Sequence, residues 1–229
     1  MHSGKDKARG QAGFSLIELL IAMMVMMLIT AAASTLLVSS FNVRAREDQR
    51  SDALADAQRA MNILTRELAN AGYKVPRGLT YQNAAGANVL VPRNGLLPAD
   101  CDAQSVAFVA NLNAMDGGVG SGSVNETNEA VKYQMFSDPA QGNFIVRNDF
   151  STGNTEVLAN RVDGMMVTYF DAAGNDTSAD KTRAVAVRVQ VWVNLRQMGT
   201  PGSPGYQPAR QVLLDSSIEL RNSNPNINF

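Results

Sequence analysis

The feature that most constrains this chain is a charge-free apolar run near its amino terminus. Between Leu19 and Phe41 there is no charged residue, no proline and no glycine, and Leu, Met, Ala and Ile predominate. About 20 apolar residues are enough for a helix to cross the hydrocarbon core of a bilayer. Because helix-breaking residues are missing, the sequence predicts one continuous membrane-spanning helix.

A single carboxylate, Glu18, stands at the edge of this run. An ionisable group in a membrane helix costs ~2.5–3.5 kcal/mol at the bilayer centre and less near the interface, so Glu18 calls for a cationic partner. A secretory signal peptide, cleaved near residues 31–34, is the weaker interpretation, because its apolar core normally spans only about 7–15 residues.

Composition excludes several classes of function. The formal net charge is −1 and no basic block occurs, so nucleic-acid binding is not expected. The lone cysteine, Cys101, excludes an intrachain disulfide, and a buried unreactive thiol is favoured over a reactive one. The only histidine, His2, lies ahead of the span, and no nucleotide, zinc or hydrolase motif appears. We therefore expect no enzyme activity, no cofactor and no metal site.

The residues around Glu18 carry a specific resemblance. A short basic leader ends at Gly13 and is followed by Phe14, three mostly apolar residues and Glu18. This resembles the class III signal of type IV prepilins. The resemblance implies that a prepilin peptidase cuts between Gly13 and Phe14 on the cytoplasmic side and that Phe14 is N-methylated. It also implies that Glu18 pairs with the amino-terminal ammonium of a neighbouring subunit, which makes two otherwise costly buried charges tolerable.

The helix is predicted to continue beyond the membrane, from about Phe14 to Ala71. Apolar residues recur there at spacings of three and four and form one face. They are Leu54, Ala57, Met61, Leu64, Leu68 and Ala71. Gly72 then offers a helix cap. Docking on a sheet is favoured over a coiled-coil seam, which would cover fewer than three heptads.

The remainder of the chain alternates in short runs separated by Gly, Asn, Asp and Pro, which predicts an antiparallel sheet. The predicted strands are Ser105–Ala110, Ala130–Phe136, Asn143–Asn148, Thr155–Leu158, Met165–Phe170, Ala184–Leu195 and Arg210–Leu220. Surface loops are predicted at Gly78–Pro98, Asp116–Asn128 and Gly199–Pro208. The Asp171–Asp180 segment is interpreted as a turn rather than a calcium site, and Glu126 and Glu129 as solvated loop charges.

Together these patterns predict an α+β, pilin-like fold in which a long amino-terminal helix packs on an antiparallel sheet. Its predicted parts are a leader (1–13), a transmembrane helix (14–41), an amphipathic extension (42–73) and a periplasmic sheet domain (74–229). The phrases RELANAGY, VDGMMVTYFDAAGN and IELRN, in that order, also resemble PilW-type minor pilins and, in architecture, J-type minor pseudopilins.

That resemblance implies a structural minor pilin that primes or caps a type IV pilus. Its implied partners are the prepilin peptidase, other minor and major pilins, the inner-membrane assembly platform and, before assembly, membrane lipid. It would sit in the inner membrane as a single-pass protein with its amino terminus in the cytoplasm, and then enter the filament. Adhesion, twitching motility and DNA uptake are the implied downstream roles. The alternatives are a type II secretion pseudopilin and a signal-anchored periplasmic binding domain with an uncut leader.

Overall fold

The computed structural model describes residues 14–82, 87–111, 129–160, 162–195, 197–203 and 206–223. One long helix, α1 (Leu16–Leu68), precedes the strands, so the predicted α+β layout is confirmed. The described strands are β1 (Thr80–Gln82), β2 (Asn88–Leu90), β3 (Ser105–Val109), β4 (Ala130–Asp138), β5 (Gly142–Asp149), β6 (Thr155–Asn160), β7 (Val162–Phe170), β8 (Ala186–Leu195) and β9 (Arg210–Glu219).

The strands form three antiparallel sheets, so the prediction of a single sheet is wrong for the described residues. The sheets are β1-β2, β3-β4-β5-β6 and β7-β8-β9. Residue 161 alone separates β6 from β7, yet β6 pairs with β5 and β7 pairs with β8. Both pairings carry a register shift, and such bulges bend and twist a strand locally. The chain thus passes from one sheet to the next at this point.

All seven predicted strands are present, with small differences at their ends. The alternation is clearest in β8, where every second residue is buried while Trp192 on the opposite face is half-buried. The buried set is Val187, Val189, Val191, Val193 and Leu195. Such a period-two pattern is what a strand with one core-facing side requires.

The prediction that Gly78–Pro98 is a surface loop is wrong. It contains the β1-β2 hairpin and ends in Leu96 and Leu97, which are both completely buried. Asn94 is buried as well: its Nδ2 donates to the carbonyl oxygens of Lys181 (2.9 Å) and Ala184 (3.0 Å). Three-residue strands are too short to show an alternation pattern, which explains the error.

The chain divides into two compact units. One takes Met1–Ala45 with Met198–Pro208 and the other takes Arg46–Gln197 with Ala209–Phe229, as far as the described residues extend. Within the second unit, the predicted face of α1 packs into the core of the sheets. Ala57, Met61, Leu64 and Leu68 are buried there. Leu54 is only half-buried, and the face serves sheet docking rather than a coiled-coil seam.

The end of α1 is held by close backbone contacts. Gly72 adopts φ +76° and Gly95 adopts φ +73°, a region that favours glycine. The Gly72 amide donates to the Val109 carbonyl at 2.8 Å, and the Val109 amide donates to the Gly95 carbonyl at 2.8 Å. Asn222 Nδ2 donates to the Ala71 carbonyl at 2.9 Å, in the turn that follows α1.

A partly buried polar cluster also ties α1 to the sheet β3-β4-β5-β6. Tyr133 Oη donates to Glu67 Oε2 at 2.7 Å, and Arg147 Nε donates to the same oxygen at 3.1 Å. The Arg147 and Glu67 side chains are only 10% and 17% exposed. Burial, reinforced by the Glu67 carboxylate, raises the pKa of Tyr133 above its ordinary value, so the hydroxyl remains a proton donor.

Candidate functional site at the amino-terminal helix

The predicted site lies at the start of α1. The Ser15 carbonyl accepts from the backbone amides of Glu18 (3.0 Å) and Leu19 (3.2 Å), which closes the first helical turn. Glu18 therefore sits in that turn, where a carboxylate interacts favourably with the positive end of the helix dipole. Phe14 lies immediately ahead of the helix with 84% of its surface exposed.

The apolar side chains that follow Glu18 are exposed all around the helix. They are mostly Leu, Ile, Met and Val, and in the most apolar 18-residue stretch of α1 none of the residues is buried. A helix that is hydrophobic on every side belongs in a bilayer or among other helices. By length and composition this helix can cross a membrane, so it is compatible with membrane anchoring.

Three of the hydroxyl groups in this segment donate hydrogen bonds within the helix. Thr30 Oγ1 donates to the Met26 carbonyl, Ser34 Oγ donates to the Thr30 carbonyl and Thr35 Oγ1 donates to the Ala32 carbonyl, each at 2.8 Å. A hydrogen-bond donor that has no partner in hydrocarbon costs roughly several kcal/mol. Glu18 is the one ionisable side chain between Phe14 and Val43.

Glu18 is exposed in the described structure and makes no ion pair with any described residue. Its position within the first turn places it at the same end of α1 as Phe14. The third residue of the predicted processing site, Gly13, lies outside the described residues. The structure thus brings two of the three predicted site residues to one helix end.

Comparison with known families identifies a sequence motif in this segment. Residues 8–34 match the family described as the prokaryotic N-terminal methylation motif, and this range contains Gly13, Phe14 and Glu18. The chain carries a prepilin-type signal. Such a motif is compatible with a type IV pilin or a pseudopilin. The search among curated proteins found no match to the chain.

The predicted turn at Asp171–Asp180 is confirmed, and its carboxylates are engaged by the turn itself. Asp171 Oδ1 accepts from the backbone amides of Ala173 and Asn175, both at 2.9 Å. The bonds from Asn175 are the main cause that lowers the pKa of Asp171. No group of three or more His, Cys, Asp or Glu residues that suits a metal ion occurs among the described residues.

Two other predicted residues have different outcomes. Cys101 is buried, as predicted, its Sγ donates to the Ala107 carbonyl at 3.3 Å, and burial raises the pKa of its thiol. Glu129 is 2% exposed, so its interpretation as a solvated loop charge is wrong. It directly precedes β4 and its carbonyl accepts from the Ala110 amide, which draws it into the core. Glu126 and the loop Asp116–Asn128 lie outside the described residues.

Proposed function

We propose that this chain is a structural minor pilin of PilW type, processed by a prepilin peptidase and assembled into a type IV pilus that it helps to initiate or cap. The observation that supports this most is the combination at α1. The amino-terminal part of α1 is exposed on all sides and carries one carboxylate in its first turn, inside a segment that matches the methylation motif.

In this mechanism the peptidase cuts after Gly13 and releases a cationic amine on Phe14, which is then methylated. Before assembly, lipid surrounds the exposed apolar side chains, the amino terminus faces the cytoplasm and the sheet-bearing unit faces the periplasm. During assembly neighbouring helices replace lipid around the same side chains. The Glu18 carboxylate then pairs with the amine of an adjacent subunit, because either charge alone is costly in that apolar environment.

A minor subunit is favoured over a major one by two features of the sequence. Common major pilins carry paired cysteines near the carboxy terminus and often a proline in the membrane helix, whereas this chain has only Cys101 and no proline in α1. The resemblance of its sheet segments to PilW-type proteins supports the same choice. Its proposed partners are other minor and major pilins and the assembly platform.

Two other functions remain alternatives to this proposal. A minor pseudopilin of type II secretion would use the same leader, helix and Glu18 but would assemble with different partners. A signal-anchored periplasmic binding domain would keep its leader and would not need Glu18. The first differs in partners and the second in processing, so separate measurements distinguish them.

Replacing Glu18 with alanine tests the assembly role. We expect the E18A variant to be cleaved normally, but its amount in sheared pili should fall by at least about tenfold. The reason is that an unpaired buried ammonium costs well over the roughly 1.4 kcal/mol that corresponds to a factor of ten. The measurement is quantitative immunoblotting of sheared filaments against the cell fraction. The ratio of this chain to the major subunit in the sheared filaments tests whether it is a minor subunit.

The matched control is Glu47→Ala, which removes the same charge from the same helix. Glu47 is 61% exposed and, within the described part of the chain, pairs only with Arg50, at 3.7 Å, so incorporation should stay at the wild-type level. Wild-type amounts of E18A in sheared filaments would contradict the proposed charge pairing. Recovery of the wild-type chain only with secretion-system pseudopilins would favour the pseudopilin alternative.

A further inference from the structure

Arg46 is an unusual residue within the sheet-bearing unit. Its side chain lies on α1 but the residue is only 6% exposed, and its Nη1 has no hydrogen-bond partner among the described residues. A buried donor without a partner destabilises the folded state, and more so when it is charged. Such a group is normally paired, so its open donor points to a ligand.

Arg46 lines a cavity of about 420 Å³. The remaining polar lining consists of amide side chains and one carboxylate: Gln49, Gln141, Asn143, Asn194 and Asp163. Asp163 forms no ion pair with Arg46. Its Oδ2 instead accepts from Gln211 Nε2 at 2.7 Å, and its carbonyl accepts from Asn143 Nδ2 at 3.3 Å. One cavity therefore holds a cation and an anion that do not neutralise each other directly.

A ligand that carries both charges matches this lining. A guanidinium binds phosphate oxygens through two parallel hydrogen bonds, and a carboxylate accepts from an ammonium group. Along the sequence, Arg46 comes soon after Phe41, the last residue of the charge-free run. The proposed function requires that this run spans the bilayer. Arg46 then follows the membrane span by only a few residues, and the phosphate groups at that level are those of lipid headgroups.

We propose that this cavity binds a phosphate group through Arg46, and that its natural source is a zwitterionic phospholipid headgroup whose ammonium group faces Asp163. The site would bind one lipid molecule while the subunit is in the membrane, before assembly. The proposal rests on the membrane anchoring in the proposed function, but its test does not depend on leader cleavage or filament assembly.

The experiment measures the melting temperature of the full chain in dodecyl maltoside micelles. The added probes are phosphatidylethanolamine, phosphatidylglycerol, soluble phosphoethanolamine and inorganic phosphate. A ligand that binds only the folded state raises the melting temperature, and at about 100 times Kd we expect a rise of about 5 °C or more for a chain of this size. Phosphatidylethanolamine should have the largest effect on the wild type.

Two variants and one control identify the site. Arg46→Gln should abolish the rise, and should leave the lipid-free melting temperature equal to or above that of the wild type, because an unpaired buried charge is removed. Asp163→Asn should keep the response to phosphate but lose the preference for ethanolamine over glycerol headgroups. Arg44→Gln removes the same charge at an exposed position of α1 and should respond as the wild type does.

An Arg46-dependent rise with phosphatidylethanolamine but not with the soluble probes would support the lipid as the source. An equal Arg46-dependent rise with inorganic phosphate would support the phosphate site and assign it to a free anion. A lipid response unchanged in Arg46→Gln, or no response of the wild type to any probe, would overturn the proposal and leave a carboxylate of a partner protein as the group that meets Arg46. None of these outcomes alters the tests of processing and of Glu18.

Discussion

A Gly95→Ala substitution is expected to destabilise the sheet-bearing unit by about 4 kcal/mol. A Cβ at this position would lie 2.0 Å from the Gly72 nitrogen and 2.6 Å from the Gly72 Cα. Neither backbone segment can move away easily, because hydrogen bonds through Val109 hold both glycines. Gly95 also adopts φ +73°, which adds strain for any L side chain. The midpoint of urea unfolding, followed by circular dichroism of the full chain in micelles, measures the change.

Gly174→Ala is the matched control for this prediction. Gly174 adopts φ +81°, but a Cβ there would meet nothing within 4 Å. It therefore reports the backbone strain alone, for which we expect about 1 kcal/mol. If Gly95→Ala lowers the free energy of unfolding no more than Gly174→Ala does, the backbone at Gly72 does not approach Gly95 as closely as the structure shows.

Removing the Glu67 carboxylate is expected to have the second large effect, a loss of about 3–5 kcal/mol. Glu67→Ala leaves the Arg147 guanidinium, 10% exposed, without its anion, and deprives the Tyr133 hydroxyl of its acceptor. The cost arises mainly from the uncompensated charge rather than from the lost contact. The measurement is the same urea midpoint, combined with a double-mutant cycle of Glu67→Ala and Arg147→Met.

The exposed pair Arg188 and Asp215 provides the contrast. Its side chains are 46% and 32% exposed, so solvent screens the attraction. We expect Asp215→Ala to shift the midpoint by only a small fraction of the Glu67→Ala shift. Equal shifts for the two variants would mean that burial does not determine the strength of the Glu67 cluster. Full additivity in the double-mutant cycle would argue that Glu67 and Arg147 act independently.

Much of this fold could be predicted because its signals are local. The uninterrupted α1, the docking face through Met61 and Leu64, and the period-two strands such as β8 all follow from residues close in sequence. The prepilin-type signal is also contiguous, so Gly13, Phe14 and Glu18 were within reach of sequence reasoning. Three-residue strands and the division into three sheets were not, because neither depends on a periodic pattern.

The remaining features depend on residues far apart in the chain. Glu67 meets Arg147 across 80 positions, and neither residue differs in sequence from a surface charge. Gly95 is indistinguishable from a loop glycine until Gly72 is placed against it. Arg46 follows the apolar run together with Arg44 and Arg50, and only the fold buries one of the three. Long-range packing, rather than propensity, determines these positions.

The proposed function requires that a prepilin peptidase processes this chain. Its most direct test is intact-mass and amino-terminal analysis of the chain expressed with and without a prepilin peptidase. We expect a peptidase-dependent mass loss that corresponds to residues 1–13, with N-methylated Phe14 at the new terminus. A chain that still begins at Met1 in the presence of an active peptidase would contradict it and would favour the signal-anchored binding domain.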